Sequence, residues 1–210
     1  MRPRGSTKGE QTRQAILGHA LGLATTVGFE GLTIGRLAEE LGMSKSGLIG
    51  HFRTKEALQV QVLEAASQRF VEEVIRPALK TPRGEPRLRA LFAAFFTWES
   101  SPSLPGGCPF IAAASELDDR PGPVRDALVG ILRDWFDLLA GTVRIAIDEG
   151  HFRADVDPAQ FAHDVYGVML AYHHGSRLFQ DPHARARAEA AFEALLRNAR
   201  REPATPLSPR

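Results

Sequence analysis

The segment Thr33–Phe52, TIGRLAEELGMSKSGLIGHF, restricts the fold of this chain more than any other part of the sequence. Thr33 and Ser44 are residue types that cap helix N-termini, and each precedes a short run with apolar side chains three or four positions apart. Gly42 separates the two runs, and a tight turn there favours a residue that tolerates positive φ. The pattern predicts a helix-turn-helix, with Lys45 in the first turn of its second helix.

The rest of the sequence also has helical periodicity. Apolar residues recur at positions i, i+3, i+4 and i+7, and no window shows the sustained alternation of a strand. A first helix is predicted to end at Gly28 and a long helix to begin after Thr54. Further helices are predicted over residues 85–99, 107–117, 122–149, 157–179 and 183–200. We therefore expect an all-α protein, with an N-terminal three-helix domain that contains the helix-turn-helix and a larger C-terminal helical domain.

Charge and proline content divide the chain further. Three arginines and a lysine precede the first apolar run against a lone Glu10, although the net charge of the chain is only +1. A basic segment before a helix often reaches toward phosphates. A Pro/Gly-rich link, TPRGEP, follows the long helix, and the chain ends in the proline-rich EPATPLSPR. We expect a basic flexible arm over 1–9, the helix-turn-helix domain over 10–56, the C-terminal domain over 57–202 and a disordered tail over 203–210.

Composition argues against a membrane or exported protein. Charges interrupt every apolar stretch before the roughly 18 to 20 residues that a membrane helix needs, and the N-terminus MRPRGSTKGE lacks the apolar core of a signal peptide. The single cysteine, Cys108, rules out an internal disulfide framework and fits a reducing compartment. His163 and His174 share a helix face, but about 16 Å of rise separates them, too far for one metal ion. We expect a cytoplasmic protein without a membrane partner, metal or cofactor.

The tetrapeptide GHFR occurs twice, at 50–53 and 150–153. The flanking sequences, LIGHFRTKE and DEGHFRADV, share nothing beyond the tetrapeptide, which indicates coincidence rather than a duplicated unit. The first copy is predicted to end the second helix of the helix-turn-helix, with Phe52 buried and His51 pointing outward. The second copy follows a long amphipathic helix and is predicted to be a loop.

The stretch LTIGRLAEELGMSKSGLIGHFRTKEAL resembles the DNA-binding domain of the TetR family of bacterial transcriptional regulators over about residues 10–58. The turn glycine, the helix caps, the buried Leu48 and Phe52, and Lys55 fall together at the expected spacing. The resemblance implies a nine-helix all-α fold, a homodimer, a palindromic operator in double-stranded DNA and a small-molecule effector in the C-terminal domain. It also implies a repressor, and an activator with the same DNA-binding domain is the alternative.

The helix-turn-helix and the resemblance together give a set of candidate DNA contacts. Lys45 and Ser46 lie in the first turn of the second helix, from which side chains reach base edges in the major groove. The resemblance implies that Thr33 and Lys55 contact phosphate. The full set of candidates is Thr33, Ser44, Lys45, Ser46, Gly47, Ile49, His51 and Lys55.

Several of these positions depart from the family pattern. Many members carry a tyrosine where this chain has Ile49, and isoleucine can offer only an apolar contact to a thymine methyl. Gly35, Gly47 and Gly50 carry no side chain that reads a base. Sequence preference is therefore expected to depend on few side chains and more on backbone approach and DNA shape.

Two further sets of residues are candidates for ligand binding and dimerisation. Large side chains with polar tips suit an apolar effector with one or two polar groups, although plain core packing is the alternative for each. The ligand candidates are Trp98, Phe110, Trp135, Tyr166, Met169 and His173. An apolar stripe in 183–200 is expected to pair, with the preceding helix, against a second copy, unless the chain's own helices cover it. The dimer candidates are Phe161, Val165, Ala188, Ala191, Phe192 and Leu195.

Two other functions use Cys108. A thiol nucleophile with a histidine base would make the protein an enzyme, and an intersubunit disulfide would make it a redox sensor. The sequence contains neither a glycine-rich phosphate loop after a strand nor Cys/His spacing typical of zinc sites. We therefore expect no catalytic residues and no enzymatic activity.

Overall fold

The computed structural model describes residues 8–200, which form nine helices. They are α1 (Lys8–Gly31), α2 (Ile34–Leu41), α3 (Lys45–Phe52), α4 (Lys55–Phe70, continued by a π turn Val71–Ile75 and a last α turn Arg76–Leu79), α5 (Glu85–Glu99), α6 (Pro109–Leu117), α7 (Pro123–Asp148), α8 (Pro158–Arg177) and α9 (Ala184–Ala199). The all-α prediction is confirmed. Residues 1–7 of the predicted basic arm and the whole predicted tail lie outside the described residues.

Helix boundaries follow the capping residues that the sequence offers. The side-chain oxygens of Thr33, Ser44 and Thr54 each accept a hydrogen bond from the backbone N–H three residues later, at 3.1, 3.2 and 3.1 Å. Gly42 ends α2 with φ of 61°, and the Met43 amide donates to the Ala38 carbonyl at 2.9 Å. Each cap satisfies backbone groups that a helix end leaves open and contributes about 1 kcal/mol.

The predicted helix stop at Gly28 is a break rather than an end. Gly28 has φ 77° and ψ 164°, a conformation that only glycine adopts without strain, and one more turn follows it to Gly31. The helix therefore breaks at the predicted residue and continues for one more turn, which carries Phe29 and Glu30.

The chain packs as two compact units. The first contains the described residues up to Arg76 together with Ala94–Asp134, and the second contains Pro77–Ala93 and the described residues from Trp135 onward. These units are defined by packing, whereas the predicted domains over 10–56 and 57–202 are defined by function. The bounds of the two domains stay a prediction.

In the first unit, α1 packs against α4 and α6, and α2 packs against α3. Ala20, Ala24 and Phe29 of α1 are fully buried in this core. The rings of Trp98 and Phe110 lie parallel with centroids 6.3 Å apart, and the ring of Phe70 meets both edge-on. Within this unit α6 packs on α1 and α4, the helices that flank the helix-turn-helix.

In the second unit, α8 and α9 pack side by side. Phe92 stacks on Phe192 with ring centroids 4.0 Å apart. The second GHFR is a loop here: Phe152 is buried, and the Arg153 amide donates to the Ala199 carbonyl at 2.8 Å. The first GHFR ends α3, so both predicted conformations are confirmed and the two copies share no structure.

Candidate nucleic-acid interface

The outer face of α3 carries most of the predicted DNA contacts. Ser44, Lys45, Ser46, Gly47 and Ile49 are exposed, and Ile49 exposes 49% of its surface although it is apolar. The opposite face of α3 is buried through Leu48 and Phe52, exposed by 0% and 1%. His51 is half-buried and lies beside Phe52, with ring centroids 6.1 Å apart. The helix thus presents its N-terminal side chains outward while two apolar anchors fix its orientation.

Gly35 has a structural role that the sequence did not reveal. A Cβ atom at Gly35 would lie 3.3 Å from Cε of Lys45, closer than most side-chain contacts allow. The lysine stem therefore runs over the start of α2, and Thr33 caps that same helix end. The absence of a base-reading side chain at Gly35 leaves room for Lys45.

Lys55 begins α4, as predicted, but it is already paired. Its Nζ lies 2.8 Å from Oε1 of Glu30, a contact that the sequence analysis missed. Oε2 of the same carboxylate accepts a hydrogen bond from Nη1 of Arg120 at 3.0 Å. The hydrogen bond from Lys55 and its charge hold the pKa of Glu30 below its ordinary value. Glu30 is therefore ionised at neutral pH and binds two cations.

Two exposed arginines extend the basic surface of this segment. Arg36 lies on α2, and Arg53 follows α3 with φ 62° and ψ −59°. The Thr54 amide donates to the Phe52 carbonyl at 2.7 Å, so residues 52–54 form a γ-turn. Neither arginine was among the predicted contacts, although basic residues beside a predicted recognition helix are a usable signal for phosphate contact.

The ligand candidates fall in both units. Trp98 and Phe110 stack in the core of the first unit. In the second unit, Trp135 is on α7, and Tyr166, Met169 and His173 follow one face of α8. Trp98, Phe110, Trp135 and Met169 are buried, whereas Tyr166 and His173 are half-buried. Whether any of the six contacts an effector stays a prediction.

Four of the six dimer candidates are covered by their own unit. Phe161, Val165, Ala188 and Phe192 are buried, whereas Ala191 is exposed and Leu195 is half-buried. Beside them lies a groove of about 380 Å³ between α8 and α9. Its lining is mainly apolar and includes Val168, Ala171, Tyr172, Gly175, Phe179, Ala184, Ala188 and Ala191.

Leu178 and Phe179 follow α8 and expose 71% and 73% of their surfaces. The groove described above includes Phe179 in its wall. The dimer prediction did not name Leu178 or Phe179, but it did name Ala188 and Ala191 of the groove lining.

The Cys108 thiol has no access to solvent. Burial, together with the nearby Glu99 carboxylate, raises the pKa of Cys108 to about 12. The Cys108 amide donates to Oε2 of Glu99 at 2.7 Å. A buried, protonated thiol is a poor nucleophile. Across residues 8–200, no three His, Cys, Asp or Glu side chains group as a metal site, and no helix is long and apolar enough to cross a membrane.

Models of one protein family match two segments of the chain. Residues 16–62 match the model described as bacterial regulatory proteins, tetR family. Residues 84–192, just over half the chain, match the tetracyclin repressor-like C-terminal domain.

Known proteins show the same similarity. Over 53 residues the chain is 47% identical to the class C tetracycline repressor protein of Escherichia coli; the match covers 25% of this chain and 24% of the relative, so it spans about a quarter of that protein. A TetR transcriptional regulator from Chloroflexus aurantiacus shares 24% identity over 90% of this chain and 94% of its own, with a TM-score of 0.74. AibR, solved with isovaleryl coenzyme A and operator DNA, shares 23% identity over 89% and 97%, with a TM-score of 0.68. At these identities the two solved structures show a common fold.

Proposed function

The chain belongs to the TetR family of bacterial transcriptional regulators, and from this premise we propose that it is a dimeric repressor that leaves a palindromic operator when a small, partly apolar effector binds. The observation that carries the proposal is the geometry of α3. Its N-terminal side chains are exposed, and Leu48 and Phe52 fix it from behind. This is the arrangement by which a helix enters the major groove. We place the protein in the bacterial cytoplasm and assign it no enzymatic activity.

Base readout is assigned to few side chains. Lys45 and Ser46 are the polar residues in the first exposed turn of α3, where they reach base edges. Ile49 offers an apolar contact to a thymine methyl. Thr33, Lys55, Arg36 and Arg53 contact phosphate and set the register of the protein on the duplex. Ser44, Gly47 and His51 complete the surface, the first two through close approach of the helix N-terminus to the backbone of the DNA.

A second copy of the chain is the partner that the apolar surface on α8 and α9 fits. Leu178 and Phe179 are largely exposed, and the lining of the groove beside them is mainly apolar but also includes Asp181 and Arg187. Contiguous exposed apolar surface of this kind marks an interface. A two-fold axis through it would pair two recognition helices with two half-sites about one turn of DNA apart, roughly 34 Å. Ala191 and Leu195 contribute to this interface, and the buried dimer candidates support it from beneath.

The effector remains unidentified, but its class can be proposed. AibR, which shares the fold, is solved with an acyl coenzyme A and with operator DNA. In this chain, Trp98 stacks on Phe110 in the first unit, and in the second unit one face of α8 carries the phenol of Tyr166, the thioether of Met169 and the imidazole of His173. Such surfaces suit a ligand that is mostly apolar and carries one or two polar groups. The effector acts by favouring the conformation that does not fit the operator.

A redox trigger at Cys108 is the less favoured alternative. Reaction with an oxidant or a second thiol requires the thiolate, and burial keeps this thiol protonated at neutral pH. An activator with the same DNA-binding segment would show the same binding and differ only in the direction of the transcriptional response.

Iterative selection from random duplex DNA at physiological salt tests the proposal. The native protein is expected to enrich a palindrome, and a Lys45→Ala, Lys55→Ala double variant is expected to lose the enrichment. Lys80→Ala serves as the matched control, because Lys80 is an exposed lysine outside the helix-turn-helix. Equal, weak binding by all three proteins with no enriched sequence would refute the proposal.

A further inference from the structure

The Glu30 carboxylate forms an ion pair with the ammonium group of Lys55. Lys55 Nζ lies 2.8 Å from Oε1 of Glu30, and Arg120 Nη1 lies 3.0 Å from Oε2. The carboxylate therefore joins a cation of the helix-turn-helix segment to a cation in the loop after α6, all within the first unit. A carboxylate and a phosphate are both oxyanions, so they compete for the same ammonium group.

Hydrogen bonds to the backbone around Glu30, and not only the ion pairs of its carboxylate, hold this residue in place. Oε1 of Glu116 accepts from the Phe29 amide at 3.1 Å, and Oε2 accepts from the Glu30 amide at 2.8 Å. On the other side, Nε2 of Gln59 donates to the Phe29 carbonyl. The break at Gly28 makes this geometry possible, because a Cβ atom there would lie 2.5 Å from Oε1 of Glu116. The turn that carries Glu30 is thus pinned by side chains from α4 and α6.

A carboxylate on a fixed turn is a stronger competitor than one on a flexible turn, because its backbone has less conformational entropy to lose when the side chain binds the cation. The Lys55 and Glu30 side chains are partly exposed, at 34% and 63%, so an incoming phosphate can reach the ammonium group. Arg120 neutralises part of the charge on Glu30 and so weakens its attraction for Lys55.

We propose that Glu30 is an intramolecular competitor of DNA phosphate for Lys55, and that Arg120 is a positioning residue that sets how strongly Glu30 competes. This inference rests on the proposed function, since it assigns Lys55 to phosphate. It adds to that function that DNA affinity depends on Glu30 and Arg120, two residues that do not themselves bind DNA. Arg120 lies within residues 84–192, which match the C-terminal family domain. Through Arg120, that part of the chain influences a DNA contact.

The test measures binding of fluorescent duplexes by anisotropy at several salt concentrations. Glu30→Gln is expected to tighten binding, and Arg120→Gln to weaken it. Glu72→Gln is the matched control, because Glu72 is an exposed carboxylate paired with Arg76 that does not contact Lys55. Since exposed ion pairs have modest strength, the gain from Glu30→Gln is expected to be about twofold to about thirtyfold for two copies in a dimer.

The double variants separate competition from a general change of charge. In a Lys55→Gln background, Glu30→Gln should tighten binding no more than Glu72→Gln does. In a Glu30→Gln background, Arg120→Gln should lose most of its effect. Tightening by Glu30→Gln that equals that of Glu72→Gln, or that persists undiminished without Lys55, would overturn the proposal.

Phosphate contacts do not depend on sequence, so the comparison is made on a random duplex as well as on any selected operator. Absence of an enriched operator with the Glu30→Gln effect intact on random DNA would reject the proposed function and retain the competition. If an operator is enriched and all variants bind it equally well, the proposed function is retained and the competition is rejected. Lysine ammonium NMR adds a readout without DNA: Glu30→Gln is expected to change the chemical shift of the Lys55 ammonium group, and an unchanged shift would contradict the pairing.

Discussion

The side chains of Cys108 and Lys45 show how single residues take their roles from their surroundings. Cys108 is chemically the most versatile side chain of this sequence, yet burial and Glu99 suppress its ionisation. Lys45 is an ordinary exposed lysine by sequence, and the bare backbone at Gly35 leaves room for its stem. Residue type predicted the surface position of Lys45. It could not predict the burial of Cys108, which depends on how α6 packs.

The raised pKa of Cys108 predicts a pH dependence of stability. As pH rises above about 9, unfolded cysteine loses its proton while the folded chain keeps it up to about pH 12, so the free energy of unfolding falls. Between pH 9 and 10.5 the native protein is expected to lose about 2 kcal/mol more than Cys108→Ala. Urea unfolding of both proteins at pH 7, 9 and 10.5 measures the difference. Equal losses would show that the folded thiol ionises normally.

At the scale of helices, local signals predicted boundaries well and long-range contacts not at all. Thr33, Ser44 and Thr54 cap helices because each side chain needs only the backbone three residues ahead. The five predicted C-terminal helices agree with α5 to α9 within two residues at each end. The hydrogen bonds from Phe29 and Glu30 to Glu116 span more than eighty residues of sequence, so no local sequence pattern predicts them. The candidate DNA contacts were predictable for the same local reason, whereas the Glu30–Lys55 pair was not.

Substitution of Gly28 is expected to destabilise the end of α1. Its φ of 77° and ψ of 164° are accessible to glycine, and an added Cβ would also press on the Glu116 carboxylate. Gly28→Ala is therefore expected to lower the free energy of unfolding by about 1–3 kcal/mol. Gly18→Ala is the control within the same helix, because a Cβ there meets no atom within 4 Å; it is expected to stabilise by up to about 1 kcal/mol. Thermal and urea unfolding would detect both changes, and a neutral Gly28→Ala would contradict the strained geometry.

For the whole molecule, the sequence predicted the architecture but not which apolar faces stay uncovered. An amphipathic stripe shows that a face is buried, without showing whether the same chain or a second copy buries it. Phe192, a dimer candidate, stacks on Phe92, whereas Leu178 and Phe179 were not candidates and are the most exposed large apolar side chains of the described residues. The apolar face that remains for a partner depends on how α8 and α9 pack together within the second unit, and the periodicity of a single helix carries no information about that packing.

This remaining face gives a prediction about assembly. Replacing Leu178 and Phe179 together by serine removes two largely exposed apolar side chains, so it should weaken the dimer with little effect on the fold of the protomer. Sedimentation velocity at micromolar concentration is expected to show a native dimer and a monomeric double variant with unchanged circular dichroism. Leu79→Ser is the control, because Leu79 is an exposed leucine, at 45%, that is absent from the groove lining. Since a monomer presents one recognition helix, the double variant should also bind a palindromic duplex no better than a single half-site. A double variant that remains dimeric would place the interface elsewhere, and a monomeric native protein would refute the two-fold reading of the operator.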